Sequence, residues 1–216
     1  MPTDPPPPFE LEGPECEWKE RLPRSERLAR TFAAFANGAG GRLWVGVRDD
    51  GRAIGVGRPD EVQQELERIA SELVVPPLDV AIGRHEYAGR VLLVARVGRA
   101  GARPVLASGR DGSWQAFHRD GASTRIAPRA LVKSWERASP ARSLDAKARR
   151  VLREIAERSH HDGSGPNLVE VARFGRFGKR AARRLVVELV QQGLVTEREG
   201  GRFGLTPEGH RRVRRR

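Results

Sequence analysis

Apolar and polar positions change period several times along this chain, and each change marks an element. ECEWKE, residues 15–20, alternates, with Cys16 and Trp18 on one side and Glu15, Glu17 and Lys19 on the other. That period of two predicts a half-buried strand. Ser25 then stands where an N-cap is expected, before ERLARTFAAFA with Leu28, Phe32 and Phe35 at helical spacing. Asn37-Gly38 supplies residues tolerant of positive φ to end that helix. LWVGV predicts a second strand, Asp49-Asp50-Gly51 a tight turn, and RAIGV its returning partner. Pro59-Asp60 opens a helix with Val62, Leu66, Ile69 and Leu73 on one stripe. LDVAIGR and RVLLVARV pair across EYAG, PVLAS and WQAFHR across GRDG, and Pro128 to Ala138 forms a short amphipathic helix. Strands joined first by helices and then by hairpins predict an α+β domain with a mixed sheet over residues 10–138.

From Asp145 the pattern is different. Val151, Leu152 and Ile155 mark one helix, NLVEVARFG a second, and Lys179 to Gln192 a third that ends at Gly193. GLVTERE and RFGLT then flank Gly200-Gly201 as a small hairpin. Three helices followed by a two-stranded wing is the order of a winged helix-turn-helix, here over residues 145–216. The third helix carries Lys179, Arg180, Arg183 and Arg184 at i, i+1, i+4 and i+5, opposite Leu185, Val186 and Leu189. With no acid on its first two turns, that face is a candidate for phosphate contact, as is Arg202 in the wing. Residues 1–9 read as a proline-rich arm and 139–144 as a polar linker.

Charge sharpens the contrast between the two parts. The 216 residues carry a net charge of +12. Residues 141–216 hold 19 of the 40 Lys and Arg but only 9 of the 28 Asp and Glu. A basic excess gathered in one third of a chain is the electrostatic footprint of a polyanion binder. No apolar run reaches the roughly 18–20 residues of a membrane span. The N-terminus has neither a basic start nor an apolar core, so it does not read as a secretory signal, and a cytoplasmic location without membrane partners is expected. One cysteine excludes an intrachain disulfide framework and a cysteine-based zinc site. The glycines at 38, 40 and 41 follow a helix and precede a strand, the reverse of a phosphate loop. No cofactor is expected from the residues alone.

EGPECEWK, AFANGAGGRLWVGVRDDGRAIGV and AFHRDGAST occur in that order. Together they resemble the Schlafen-type Alba-like domain, a nucleic-acid-binding module, over roughly residues 10–138. The fold expected is therefore a mixed-sheet Alba-like domain followed by a winged helix. In the RNA-cleaving members of that family, two Glu and one Asp support divalent-metal-dependent cleavage. The resemblance carries those roles to Glu12, Glu17 and Asp49, with Mg²⁺ or Mn²⁺ as the metal. Carboxylate oxygens are suited to such ions, and a metal held by them polarises phosphate and activates water. Arg48 departs from the acid that many relatives carry beside this site. Lys19 either contacts phosphate or pairs with Glu17.

Two functions follow. The first is a nucleic-acid-binding protein, a DNA-binding transcriptional regulator using the basic winged helix plus the Alba-like domain. The alternative is an endoribonuclease that cleaves tRNA or other structured RNA, so whether the chain is an enzyme stays open. Duplex DNA or structured RNA is the partner in either case, and because such folds often pair, a homodimer is also implied.

Overall fold

The computed structural model describes residues 11–108, 113–138, 144–161 and 165–214. The proline-rich arm, residues 139–143 of the linker and the 109–112 turn lie outside the described residues. The chain divides into two compact units, Met1–Pro140 and Ala141–Arg216.

The first unit is organised around one helix. α1 (Ser25–Asn37) buries every residue from Leu28 to Asn37 except Arg30. A helix apolar nearly all round belongs inside a core, and the alanines of FAAFA let strands approach it closely. Ser25 opens α1 rather than capping it: Arg24 takes the cap position without a side-chain hydrogen bond, and the Ser25 hydroxyl donates to Glu65 at 2.7 Å. β1 (Cys16–Lys19), β2 (Gly40–Val45), β4 (Val80–Tyr87) and β5 (Arg90–Gly98) form one mixed sheet in the order β1-β2-β5-β4. β1 runs parallel to β2, and the other pairings are antiparallel. Alternation sends Leu43, Val45, Leu93, Ala95 and Val97 into the core around α1. Cys16, Trp18, Trp44, Leu92 and Val94 cluster on the opposite face.

Of the hairpin expected between LWVGV and RAIGV only the tip forms: Val47 bridges Ala53, Arg48 N–H donates to the Arg52 carbonyl at 2.9 Å and Ile54 N–H to the Gly46 carbonyl at 2.8 Å, around a turn closed by Gly51 N–H and the Arg48 carbonyl at 2.9 Å. A strand has two hydrogen-bonding edges, and those of β2 are taken by β1 and β5. The chain leaves the sheet at Gly46, where a φ of 96° and the 2.9 Å that would separate a Cβ from the Gly55 carbonyl carbon exclude a side chain. The return segment then bonds to β5 through Val56 N–H and the Val91 carbonyl at 2.8 Å.

A second four-stranded sheet has the order β3-β6-β7-β8: β3 (Val74–Val75), β6 (Leu106–Ser108), β7 (Trp114–Asp120) and β8 (Ser123–Ile126). Val105, Ala107 and Phe117 join the α1 core, while Ala116 packs with Trp135 of α3 (Arg129–Ala138). α2 (Pro59–Glu72) adds Leu66 and Ile69 to the α1 core. Asn37 does not adopt the left-handed conformation expected at the helix end; it is the last helical residue and is buried. Its amide donates to the Val105 and Phe117 carbonyls at 2.8 and 2.9 Å and accepts from Val105 N–H at 2.7 Å. One side chain thus ties the central helix to the second sheet.

In the second unit, α4 (Ala146–His161), α5 (Leu168–Gly175) and α6 (Lys179–Gln191) precede a hairpin of β9 (Val195–Arg198) and β10 (Arg202–Leu205). α7 (Pro207–Arg214) follows. Asn167 and Glu170 form a reciprocal capping box at the start of α5. Val151, Leu152, Ile155, Val171, Val186, Leu189, Leu194 and Phe203 make the core.

Candidate nucleic-acid interface

Most of the acids at the front of the chain are already engaged. Strand alternation puts Glu17 on the α1 side of its sheet, between buried Cys16 and Trp18, where an unpaired carboxylate would be costly. Two cations meet it: Lys19 Nζ lies 2.8 Å from Oε1 and Arg119 Nη1 2.5 Å from Oε2. Arg119 comes from β7 and also donates to the Gly13 carbonyl at 2.7 Å and to Thr124 Oγ1 at 3.0 Å. It therefore clasps the first sheet to the second. A turn closed by Gly13 N–H and the Cys16 carbonyl at 2.9 Å folds Glu12 back onto β1. There Glu12 accepts from Trp18 N–H at 2.8 Å and stands 4.0 Å from Lys19 Nζ. Glu20 faces Arg48 at 3.6 Å.

Glu12 and Glu17 thus share one ammonium, but Asp49 is not with them. Its turn packs by Gly51 against the ring of Trp18, which lies on the opposite face of the sheet from Glu17. Asp49 itself is exposed. Among the described residues no group of three His, Cys, Asp or Glu side chains is placed to hold a metal ion. The three carboxylates as they stand do not fit Mg²⁺ or Mn²⁺, because two already balance Lys19 and Arg119 and Asp49 does not join them in a group of three. Lys19, also donating to the Trp18 carbonyl at 2.6 Å, is held inside this cluster.

Beside the cluster, Glu17 forms part of the wall of a cleft of about 510 Å³ at the start of α1, together with Arg24, Arg27, Arg30, Ser123 and Thr124. Neither these arginines nor β8, the strand that closes the cleft, stood out in the sequence. Below α1's first turn, a hydrogen bond from Arg68, aided by the Ser25 hydroxyl, holds the Glu65 carboxyl below its ordinary range despite partial burial.

In the second unit, Lys179, Arg180 and Arg183 are exposed and Arg184 half-buried along α6, while Ala182, Val186 and Leu189 are buried on its other side. The helix therefore keeps these cations in reach of solvent and anchors itself by Ala182, Val186 and Leu189. Arg202 is engaged within the unit: its Nη1 donates to the Gly165 carbonyl at 2.7 Å and lies 3.8 Å from Glu170. It fastens β10 to the start of α5. Arg198 lies across Gly204, where a Cβ would come within 2.3 Å of the guanidinium.

Residues 12–128 match the family described as Schlafen, AlbA_2. Curated proteins give no match. Similar solved structures include the DIP2311 protein from Corynebacterium diphtheriae, at 20% identity and a TM-score of 0.44, covering 68% of this chain and 35% of that one. Another is the N-terminal domain of a protein from Nitrosomonas europaea named as related to the ATP-dependent DNA helicase RecG. It shows 22% identity and a TM-score of 0.35, covering 61% of this chain and 84% of that one.

Proposed function

The chain belongs to the Schlafen, AlbA_2 family, and from that premise we propose that it is a nucleic-acid-binding protein, a DNA-binding transcriptional regulator. In this reading residues 10–138 are the Alba-like domain and 145–216 a winged helix-turn-helix, with α6 as the helix that enters a groove. The supporting observation is the disposition of Lys179, Arg180, Arg183 and Arg184 along α6, opposite its buried apolar side. No helix among the described residues is long and apolar enough to cross a membrane, and a cytoplasmic location belongs to the same reading.

Anisotropy titrations with a labelled mixed-sequence DNA duplex test it. Affinity should fall steeply with salt, since each neutralised phosphate releases counterions. Lys179→Ala and Arg183→Ala should each lower the slope of log K against log salt by about 1. A wild-type chain that leaves the duplex free in low salt refutes the proposal.

A metal-dependent endoribonuclease acting on tRNA has the family resemblance behind it and the engagement of Glu17 against it. It requires Mn²⁺- or Mg²⁺-stimulated cleavage that Glu12→Ala and Asp49→Ala abolish with folding intact.

A further inference from the structure

The cleft at the start of α1 holds more positive charge than its own structure uses. Arg24, Arg27 and Arg30 recur at intervals of three, so they follow one side of the first turns. None of the three has an acidic partner among the described residues. The carboxylate of Glu26 is the one acid of the lining left to oppose them, because Glu17 is already neutralised by Lys19 and Arg119. Two positive charges remain unbalanced.

Hydrogen-bonding capacity is unused in the same place. Nε of Arg30 is buried without an acceptor, although the guanidinium lies over the Phe117 ring at 5.4 Å. Native structures rarely leave such a donor orphaned. Thr124 Oγ1 accepts from Arg119, which leaves its own hydrogen to be donated elsewhere. Arg24, at the cap position of α1, provides no side-chain acceptor, and although its carbonyl takes the Arg27 amide at 2.9 Å, the Ser25 and Glu26 amides are left open. Those amides and the helix dipole favour an anion. The spare hydroxyl, the open amides and the excess charge belong to residues around one cleft, beside the orphaned Arg30 Nε, and all ask for an anionic acceptor.

We propose that this cleft binds a phosphate monoester, such as ends a nucleic-acid strand or a free nucleotide, through Arg24, Arg27, Arg30 and the amides opening α1. A monoester carries close to two negative charges at neutral pH, against one for a backbone phosphodiester, and so matches the unbalanced pair. The cleft's volume is of the size that holds a small organic ligand rather than a bare ion. The cleft is built from residues of the unit Met1–Pro140 and α6 belongs to the unit Ala141–Arg216, so each is altered by its own substitutions.

The test uses the full chain and two 3′-labelled single strands of one sequence, one with a 5′-phosphate and one with a 5′-hydroxyl. The phosphorylated strand should bind about tenfold more tightly, as charge-assisted hydrogen bonds require. Arg24→Ala with Arg27→Ala should erase that preference, with the tryptophan-monitored melting transition retained. Lys179→Ala with Arg183→Ala should leave the preference in place while weakening duplex binding, which separates this site's failure from failure of the α6 reading. Displacement of the phosphorylated strand by a nucleoside 5′-monophosphate at similar concentration identifies a free nucleotide as the ligand; resistance to displacement identifies a strand end. Equal binding of the two strands by the wild type, or a preference that survives Arg24→Ala with Arg27→Ala, overturns the proposal.

Discussion

Glu17→Gln separates a structural carboxylate from a catalytic one. The substitution keeps the shape and removes one charge from a cluster whose other members stay in place. Arg119, with 4% of its side chain exposed, would then keep only the Gly13 carbonyl, Thr124 Oγ1 and a neutral amide as acceptors. Removing one partner of a buried ion pair costs about 3–5 kcal/mol, and because Gln still accepts a hydrogen bond, about 3 kcal/mol is expected here. In a unit of this size each kcal/mol shifts Tm by about 2–4 °C, so Tm should fall by about 6–12 °C. All four tryptophans, Trp18, Trp44, Trp114 and Trp135, lie in the unit Met1–Pro140, so intrinsic fluorescence follows that unit's unfolding alone. Combining Glu17→Gln with Arg119→Met should give a coupling energy of about 2 kcal/mol, within the range for contacting residues. Carboxylates kept for chemistry behave in the opposite way, since their removal tends to stabilise the fold. A Tm that rises or does not move on Glu17→Gln refutes the clasp and restores Glu17 as a candidate metal ligand.

Two further outcomes follow from the first unit. Asn37→Ala strands the Val105 amide and two buried carbonyls and should cost about 3 kcal/mol by chemical denaturation; a loss below about 1 kcal/mol would show that water replaces the amide there. The Glu65 carboxyl has a folded pKa below its unfolded one, chiefly through Arg68. Its stabilisation is therefore complete above the ordinary value of 4.5 and drains as pH falls through the folded value. Glu65→Gln should flatten the acid limb of a Tm-against-pH profile, and an unchanged limb would assign the acid sensitivity to other groups.

Elements with a long, uniform period were legible in the sequence. The stripe Val62, Leu66, Ile69, Leu73 foretold α2, and the apolar run at 91–95 foretold the strand that pairs with β4. The predicted 43–47/52–56 hairpin kept only its tip because a turn sequence reports local preference, whereas the edges of β2 were claimed by other strands. β3 and β8 are too short for alternation to register, and β8 carries mostly exposed residues. α7 was missed although Thr206-Pro207-Glu208 has the chemistry of a helix start, with Thr206 Oγ1 accepting from Gly209 N–H at 3.0 Å. The α6 cations could be read from their spacing because a charged helix face depends only on neighbours in sequence. Of the two partners of Glu17, Lys19 was readable as a strand neighbour, but Arg119 was not, because it reaches the carboxylate only after two sheets have closed around α1. Arg24, Arg27 and Arg30 went unread because their spacing is that of any solvated helix face, and only residues 122–124 supply the opposite wall.

The clasp also orders events in time. Glu17 and Arg119 are 102 residues apart, so a ribosome adding about 5–20 residues per second leaves β1 without its buried guanidinium for roughly 5–20 seconds. Through that interval Glu17 has only Lys19 to offset its charge, and β1 has no incentive to dry its inner face. The strand made first is then among the last to lock, and newborn chains wait with that border of the sheet unsealed.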